Sequence, residues 1–173
     1  MLLFFTPKKL TTFGIRCLLT SMLFIGLSFG TKAQVLFNED FATVVPLPTG
    51  WASQNLSNPL GTTTWFQGNN TVFPSQAGAA TAYIGANFNS TAGAGTISTW
   101  LFTPNVTIKN GDVFTFYTRR TTSAFPDRLQ VRLSLAGAST DVGATETSTG
   151  DFSTLLLDIN PTLTTTGYPS VWT

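Results

Sequence analysis

The chain contains no histidine, and its one cysteine, Cys17, lies near the amino terminus. Nucleophilic systems built on Ser-His-Asp or Cys-His pairs are therefore excluded. The usual zinc ligands are missing as well. Charge is also scarce, at 10% of residues. A hydrolase of this composition would need paired carboxylates, as glycosidases use. The acids are Glu39, Asp40, Asp112, Asp127, Asp141, Glu146, Asp151 and Asp158, most of them at expected loop or turn positions. The chain is accordingly expected not to be an enzyme. Lys and Arg are few and unclustered, which excludes phosphate neutralisation along a nucleic acid.

No apolar run is long enough to make a good membrane span. Residues 18–29 (LLTSMLFIGLSF) follow Lys8 and Lys9 and have the length of a secretory h-region. Small residues at Thr31 and Ala33 place cleavage before Gln34, so residues 1–33 read as a signal peptide; a retained anchor is the alternative. Cys17 precedes the apolar run, which argues against lipidation. The expected mature chain, 34–173, keeps five basic residues and all eight acids, a net charge of −3. It carries no cysteine, so export is not accompanied by a disulfide. No membrane association is expected after cleavage.

What remains is rich in Thr, Ser, Asn, Gly and aromatics, the composition of an all-β module with polar loops. Residues 111–135 (GDVFTFYTRRTTSAFPDRLQVRLSL) carry the clearest pattern. Leu129, Val131, Leu133 and Leu135 alternate with Gln130, Arg132 and Ser134, as in a half-buried antiparallel strand. Residues 113–117 carry bulk on both faces. The two runs are expected to pair as the centre of a β-sandwich. Further strands are expected at 35–41 (VLFNEDF), from Trp65, within 80–88, at 97–103 up to Pro104, and briefly at 106–108. Residues 152–159 read as a strand or a short helical turn. Residues 53–63, 89–95 and 136–150 read as loops, and Asn110-Gly111 as a tight turn. Val171-Trp172 reads as the start of a strand, so the domain is expected to lack its closing strands.

The order of these pieces resembles a family. Phe37-Asn38-Glu39-Asp40-Phe41 precedes Pro48-Thr49-Gly50-Trp51, then Trp65-Phe66, Tyr83-Ile84, residues 100–104, residues 111–119 and residues 125–134. This series is similar to the cleaved-adhesin and choice-of-anchor J domains of bacterial secreted surface proteins, over roughly residues 35–172. The resemblance implies a jelly-roll-like antiparallel β-sandwich, related in architecture to MAM and galactose-binding-like modules. It also implies export to the bacterial surface or medium.

Each candidate residue has a functional and a plain reading. Glu39 shares a face with Phe37 and Phe41, and a carboxylate there must be paired or hydrogen-bonded. With Asp40 it is a candidate calcium ligand. Alternatively it pairs with Arg128 or Arg132, or meets water. Arg119 and Arg120 could dock an acidic glycan or loop, or be a solvated strand end. Asp127 and Arg128 read as a turn cap and an ion-pair partner, or as a ligand rim. Trp51, Trp65, Trp100 and Trp172 read first as core. Trp65 and Phe66 are the best candidates for an exposed contact, since adjacent strand residues face opposite ways. The N-x-S/T triplets at Asn55, Asn69, Asn89 and Asn105 are what an Asn- and Thr-rich chain yields by chance.

The function these residues suggest is a non-catalytic adhesion or binding module with a surface or matrix protein or a glycan as partner. The alternatives are a carbohydrate-recognition module accessory to a secreted hydrolase, and a spacer with no ligand.

Overall fold

The computed structural model describes residues 34–173. The expected signal peptide, with Cys17, lies outside the described residues. Eight short strands occur among those described: β1 (Ala52–Asn55), β2 (Asn58–Leu60), β3 (Phe66–Gln67), β4 (Ile84–Gly85), β5 (Thr91–Thr96), β6 (Thr99–Phe102), β7 (Leu129–Leu133) and β8 (Thr154–Ile159). One 3-10 turn, Phe88–Ser90, precedes β5. Pairing is antiparallel throughout: β1 with β6, β2 with β5, β3 with β4, and β7 with β8. The fold is thus all-β and β-sandwich-like, as the composition implies, without barrel closure among these strands. No helix among the described residues is long and apolar enough to cross a membrane.

The apolar strands form for the reason their alternation gives. In β6, Trp100 and Phe102 point the same way and stack at 6.2 Å, and Phe152 closes on Phe102 at 5.3 Å. Phe102 is buried, as are Val44, Ala82, Val142 and Tyr168. In β7, Leu129 and Val131 stand opposite Ile159 and Leu157 on one face. On the other face Gln130 stands opposite Asp158. A bulge between Val131 and Arg132 then shifts the register, so one strand bends locally.

The polar strands β1, β2 and β5 are held differently, by side chains that bind backbone. Asn55 donates through Nδ2 to the carbonyls of Thr63 and Ser90, both at 2.8 Å, and accepts from the Ser57 amide. Ser57 Oγ accepts the Ser98 amide, and Thr91 Oγ1 donates to the Pro59 carbonyl. β2 and β5 approach so closely that a side chain at Gly95 would collide with the Asn58 carbonyl and the Pro59 ring. Glycine there is a packing requirement, not a sign of a flexible turn.

Several expectations are corrected. Residues 53–63 and 89–95, read as loop and turn, carry β1, β2 and β5. No strand forms over 35–41 or 106–108. Phe37 and Phe41 do point together, both packing edgewise on Trp51, but Phe41 adopts a left-handed φ of 52° that ends the extended run. The expected pairing of 113–117 with β7 does not occur; β7 pairs with β8 alone among the described strands. The intervening loop instead folds around Arg120, whose guanidinium donates to the carbonyls of Ser123, Phe125 and Thr165. Residues 152–159 resolve as strand β8, not a helical turn. The turn at Asn110-Gly111 forms as expected, closed by the Asp112 amide on the Lys109 carbonyl, with Gly111 at φ 98°.

Candidate functional site

The predicted site residues fall in three separate places. Trp65, just before β3, and Phe66, its first residue, are both half-buried, where alternation suggested one inside and one outside. The indole Nε1 of Trp65 is buried and makes no hydrogen bond among the described residues. Within β3, Gln67 acts as a clamp: its Oε1 accepts the Val44 amide, and its Nε2 donates to the carbonyls of Phe41 and Thr81.

Glu39 and Asp40 sit in the turn that Phe41 completes. Glu39 Oε1 accepts the Phe41 amide at 2.8 Å, and Asp40 Oδ1 accepts the Ala42 amide at 2.9 Å. Each carboxylate thus spends one oxygen on its own turn. Neither pairs with Arg128 or Arg132. Arg128 binds Asp158, and Arg132 binds Gln130 Oε1 and the Phe152 carbonyl. Among the described residues no group of three acids converges on a possible metal position.

Arg119 and Arg120 point to different neighbourhoods, as strand neighbours do. The Arg119 guanidinium lies 4.3 Å over the Phe73 ring and 5.8 Å from Trp172, and donates to the Ser170 carbonyl at 2.7 Å. Phe73, Tyr83 and Trp172 pack mutually around it. Arg120 is more deeply placed, its side chain 9% exposed, with Asp127 at 3.7 Å. Partial burial raises the Asp127 pKa more than Arg120 lowers it. Both arginines are thus engaged within the fold, one stacked and one hydrogen-bonded.

A groove of about 640 Å³ opens where sequence pattern suggested only scaffold. Phe114, Phe116 and Thr118 form one wall, Leu157 and Ile159 of β8 another, and Tyr168 and Thr173 one end. The Tyr168 hydroxyl shares a hydrogen bond with Thr118 Oγ1 at 2.5 Å, and burial pushes its pKa up. Phe114 packs on Phe116 at 5.7 Å and on Phe37 at 6.2 Å, so the groove wall continues into the Trp51 aromatic cluster. No charged side chain lines it.

No protein-family model, curated protein or solved structure matches the chain.

The groove residues were missed because an alternating apolar run reads as core. One signal did point to them. Residues 113–117 carry bulk on both faces, the pattern of a strand covered on both sides. Yet Val113 is 82% exposed, Tyr117 61% and Phe114 50%. These residues have the side chains of an interior strand without its cover, a combination that marks interaction surfaces.

Proposed function

We propose that the chain is an exported, non-catalytic binding module that works at the bacterial cell surface, of the kind its adhesin-like motifs suggest. The observation that carries this reading is the apolar groove between residues 114–118 and β8. Its lining suits contact with a polypeptide surface more than recognition of a charged small molecule. The disposition of the acids supports a role without catalysis. Glu39, Asp40, Asp112 and Asp141 each accept a backbone amide of their own turn. Asp127 and Asp158 face arginines, and Asp151 accepts from Ser139.

Calcium belongs to the same reading, at Glu39 and Asp40. Both carboxylates keep an oxygen outside their turn bonds, and calcium takes about six to eight oxygens. Backbone carbonyls and water would supply the others. Melting with calcium and with chelator tests this part. A rise in Tm with calcium that Glu39→Ala abolishes is expected, and equal melting in both conditions would remove calcium from the reading.

Binding itself is tested on arrays of immobilised matrix proteins and of glycans. Saturable binding to protein that free sugars do not compete is expected, weakened about tenfold (1.4 kcal/mol) by Phe116→Ser. Sugar-competed binding would replace this reading with a carbohydrate-recognition module. Binding to neither surface would leave a spacer.

A further inference from the structure

The Asn55 carboxamide is a crossing point of three chain segments. Its Nδ2 donates to the Thr63 and Ser90 carbonyls, both at 2.8 Å. Thr99 stands opposite Asn55 in the β1–β6 ladder. One step further, the Leu56 amide donates to the Ser98 carbonyl at 2.9 Å. Hydrogen-bonded and non-hydrogen-bonded pairs alternate along such a ladder, so Asn55 and Thr99 form a non-hydrogen-bonded pair. Their side chains share a face at the closer of the two cross-strand spacings.

Three buried hydroxyls belong to the residues around this crossing. Ser90 is fully buried, and its Oγ makes no hydrogen bond among the described residues. The same holds for the buried Oγ1 atoms of Thr99 and of Thr64, whose amide nitrogen belongs to the same peptide unit as the Thr63 carbonyl. The protein acceptors nearby are largely spent. The Ser90 carbonyl takes the Gly61 amide as well as Asn55. The Asn89 carbonyl takes the amides of Thr62 and Thr63, and Asn55 Oδ1 takes the Ser57 amide. Space is short as well: a side chain at Gly61 would collide with the backbone of Asn89 and Ser90. A buried hydroxyl without a partner costs free energy. These oxygens are already covered, so nothing laid on the outer surface reaches them, and their partner has to be small and internal.

We infer that Thr64, Ser90 and Thr99 hold an internal water molecule beside Asn55, as a fixed ligand of the fold. A buried water makes about three hydrogen bonds, which three hydroxyls supply. Each hydroxyl both donates and accepts, so the water can give two protons and take one. No charged residue occurs over residues 42–108, the span that provides every group named here. These segments therefore offer a metal ion no carboxylate, and a neutral occupant fits them. The water joins the segment before β3, the turn before β5 and the start of β6. This site is separate from the groove and from whatever the groove binds.

The sign of a stability change tests it. Removing an unsatisfied buried hydroxyl raises stability, whereas removing one that holds a water lowers it. Thr64→Val, Ser90→Ala and Thr99→Val should each lower the urea midpoint of the full chain by about 0.5 M. The double variant Ser90→Ala/Thr99→Val should lose less than the two single losses together, because the water leaves with the first. Oxygen-17 relaxation dispersion registers long-lived internal water directly, and it should show one such water fewer in the double variant. A raised midpoint in the single variants overturns the inference, as do additive losses or an unchanged dispersion. If Ser90→Ala fails to fold, Thr64→Val and Thr99→Val, which keep the side-chain shape, decide the sign and the dispersion on their own.

Discussion

Arg128 holds Asp158 across the β7–β8 pair with two parallel bonds, Nε to Oδ1 at 2.8 Å and Nη2 to Oδ2 at 2.5 Å. Gln130 adds a third donor to Oδ2 at 3.0 Å. The hydrogen bond from Arg128 is the main reason the Asp158 pKa is lowered. The folded chain therefore holds fewer protons at this group than the unfolded chain does. The resulting stabilisation is present above the ordinary Asp pKa, about 3.9. It is lost as the pH falls through the lowered folded value. Asp158→Asn should lower the melting temperature at pH 7 and lower it less at pH 2. Equal losses at both pH values would mean that the contact acts through packing, not charge.

Arg120 closes a loop by binding three carbonyls, those of Ser123, Phe125 and Thr165. Its ion pair with Asp127 is long, and the Asp127 side chain is 56% exposed, so the charge contact contributes little. Arg120→Met should destabilise the chain by about 1.5 kcal/mol through the loss of these charge-assisted hydrogen bonds. Asp127→Asn should cost under about 1 kcal/mol. Urea midpoints of the two variants check the ranking. A larger loss for Asp127→Asn would reverse the assignment.

Asn160 is buried, with a left-handed φ of 60°. Its Nδ2 donates to the carbonyls of Asp127 and Thr164, and its Oδ1 accepts from the Thr164 amide and hydroxyl. Conformation and bonding are separable here. Asn160→Gly keeps the backbone freedom and loses the bonds, while Asn160→Ala loses both. Alanine should be the more damaging by roughly 1 kcal/mol. Equal unfolding free energies for the two variants would show that the backbone conformation is not strained.

The Arg119 guanidinium stacks on Phe73 beside Trp172. Arg119→Lys loses the planar stack and should cost about 1 kcal/mol of stability. Binding measured on the protein array should remain unchanged, because this cluster is not part of the groove. Loss of binding without loss of stability would return Arg119 to the ligand contacts.

Strands with apolar alternation were legible in the sequence: β6 through Trp100 and Phe102, β7 through Leu129, Val131 and Leu133. Pairing was less so. Alternation says which face a residue takes, not which strand lies alongside, and β7 pairs with β8 where residues 113–117 were expected. The strands β1, β2 and β5 were illegible for a different reason. ASQN, NPL and TAGAGT carry no hydrophobic period. They are held by Asn55, Ser57 and Thr91, whose partners lie 32 to 41 residues away along the chain. Such long-range bonds leave no local mark. The groove was hidden by the same ambiguity, since Phe114 and Phe116 look like core until the strand that would cover them proves absent from the described residues.

Reliance on amide side chains also sets how the protein ages. Asparagine deamidates when the following backbone nitrogen attacks the side-chain carbonyl. Asn160 precedes Pro161, which has no N–H to deprotonate. Asn55 precedes Leu56, whose amide is tied to the Ser98 carbonyl at 2.9 Å. The two asparagines on which the fold depends are thus shielded from this chemistry. Asn110, exposed and followed by Gly111, is not. Peptide mapping after prolonged storage at neutral pH should find the first added dalton at Asn110, in a turn where the fold can tolerate it.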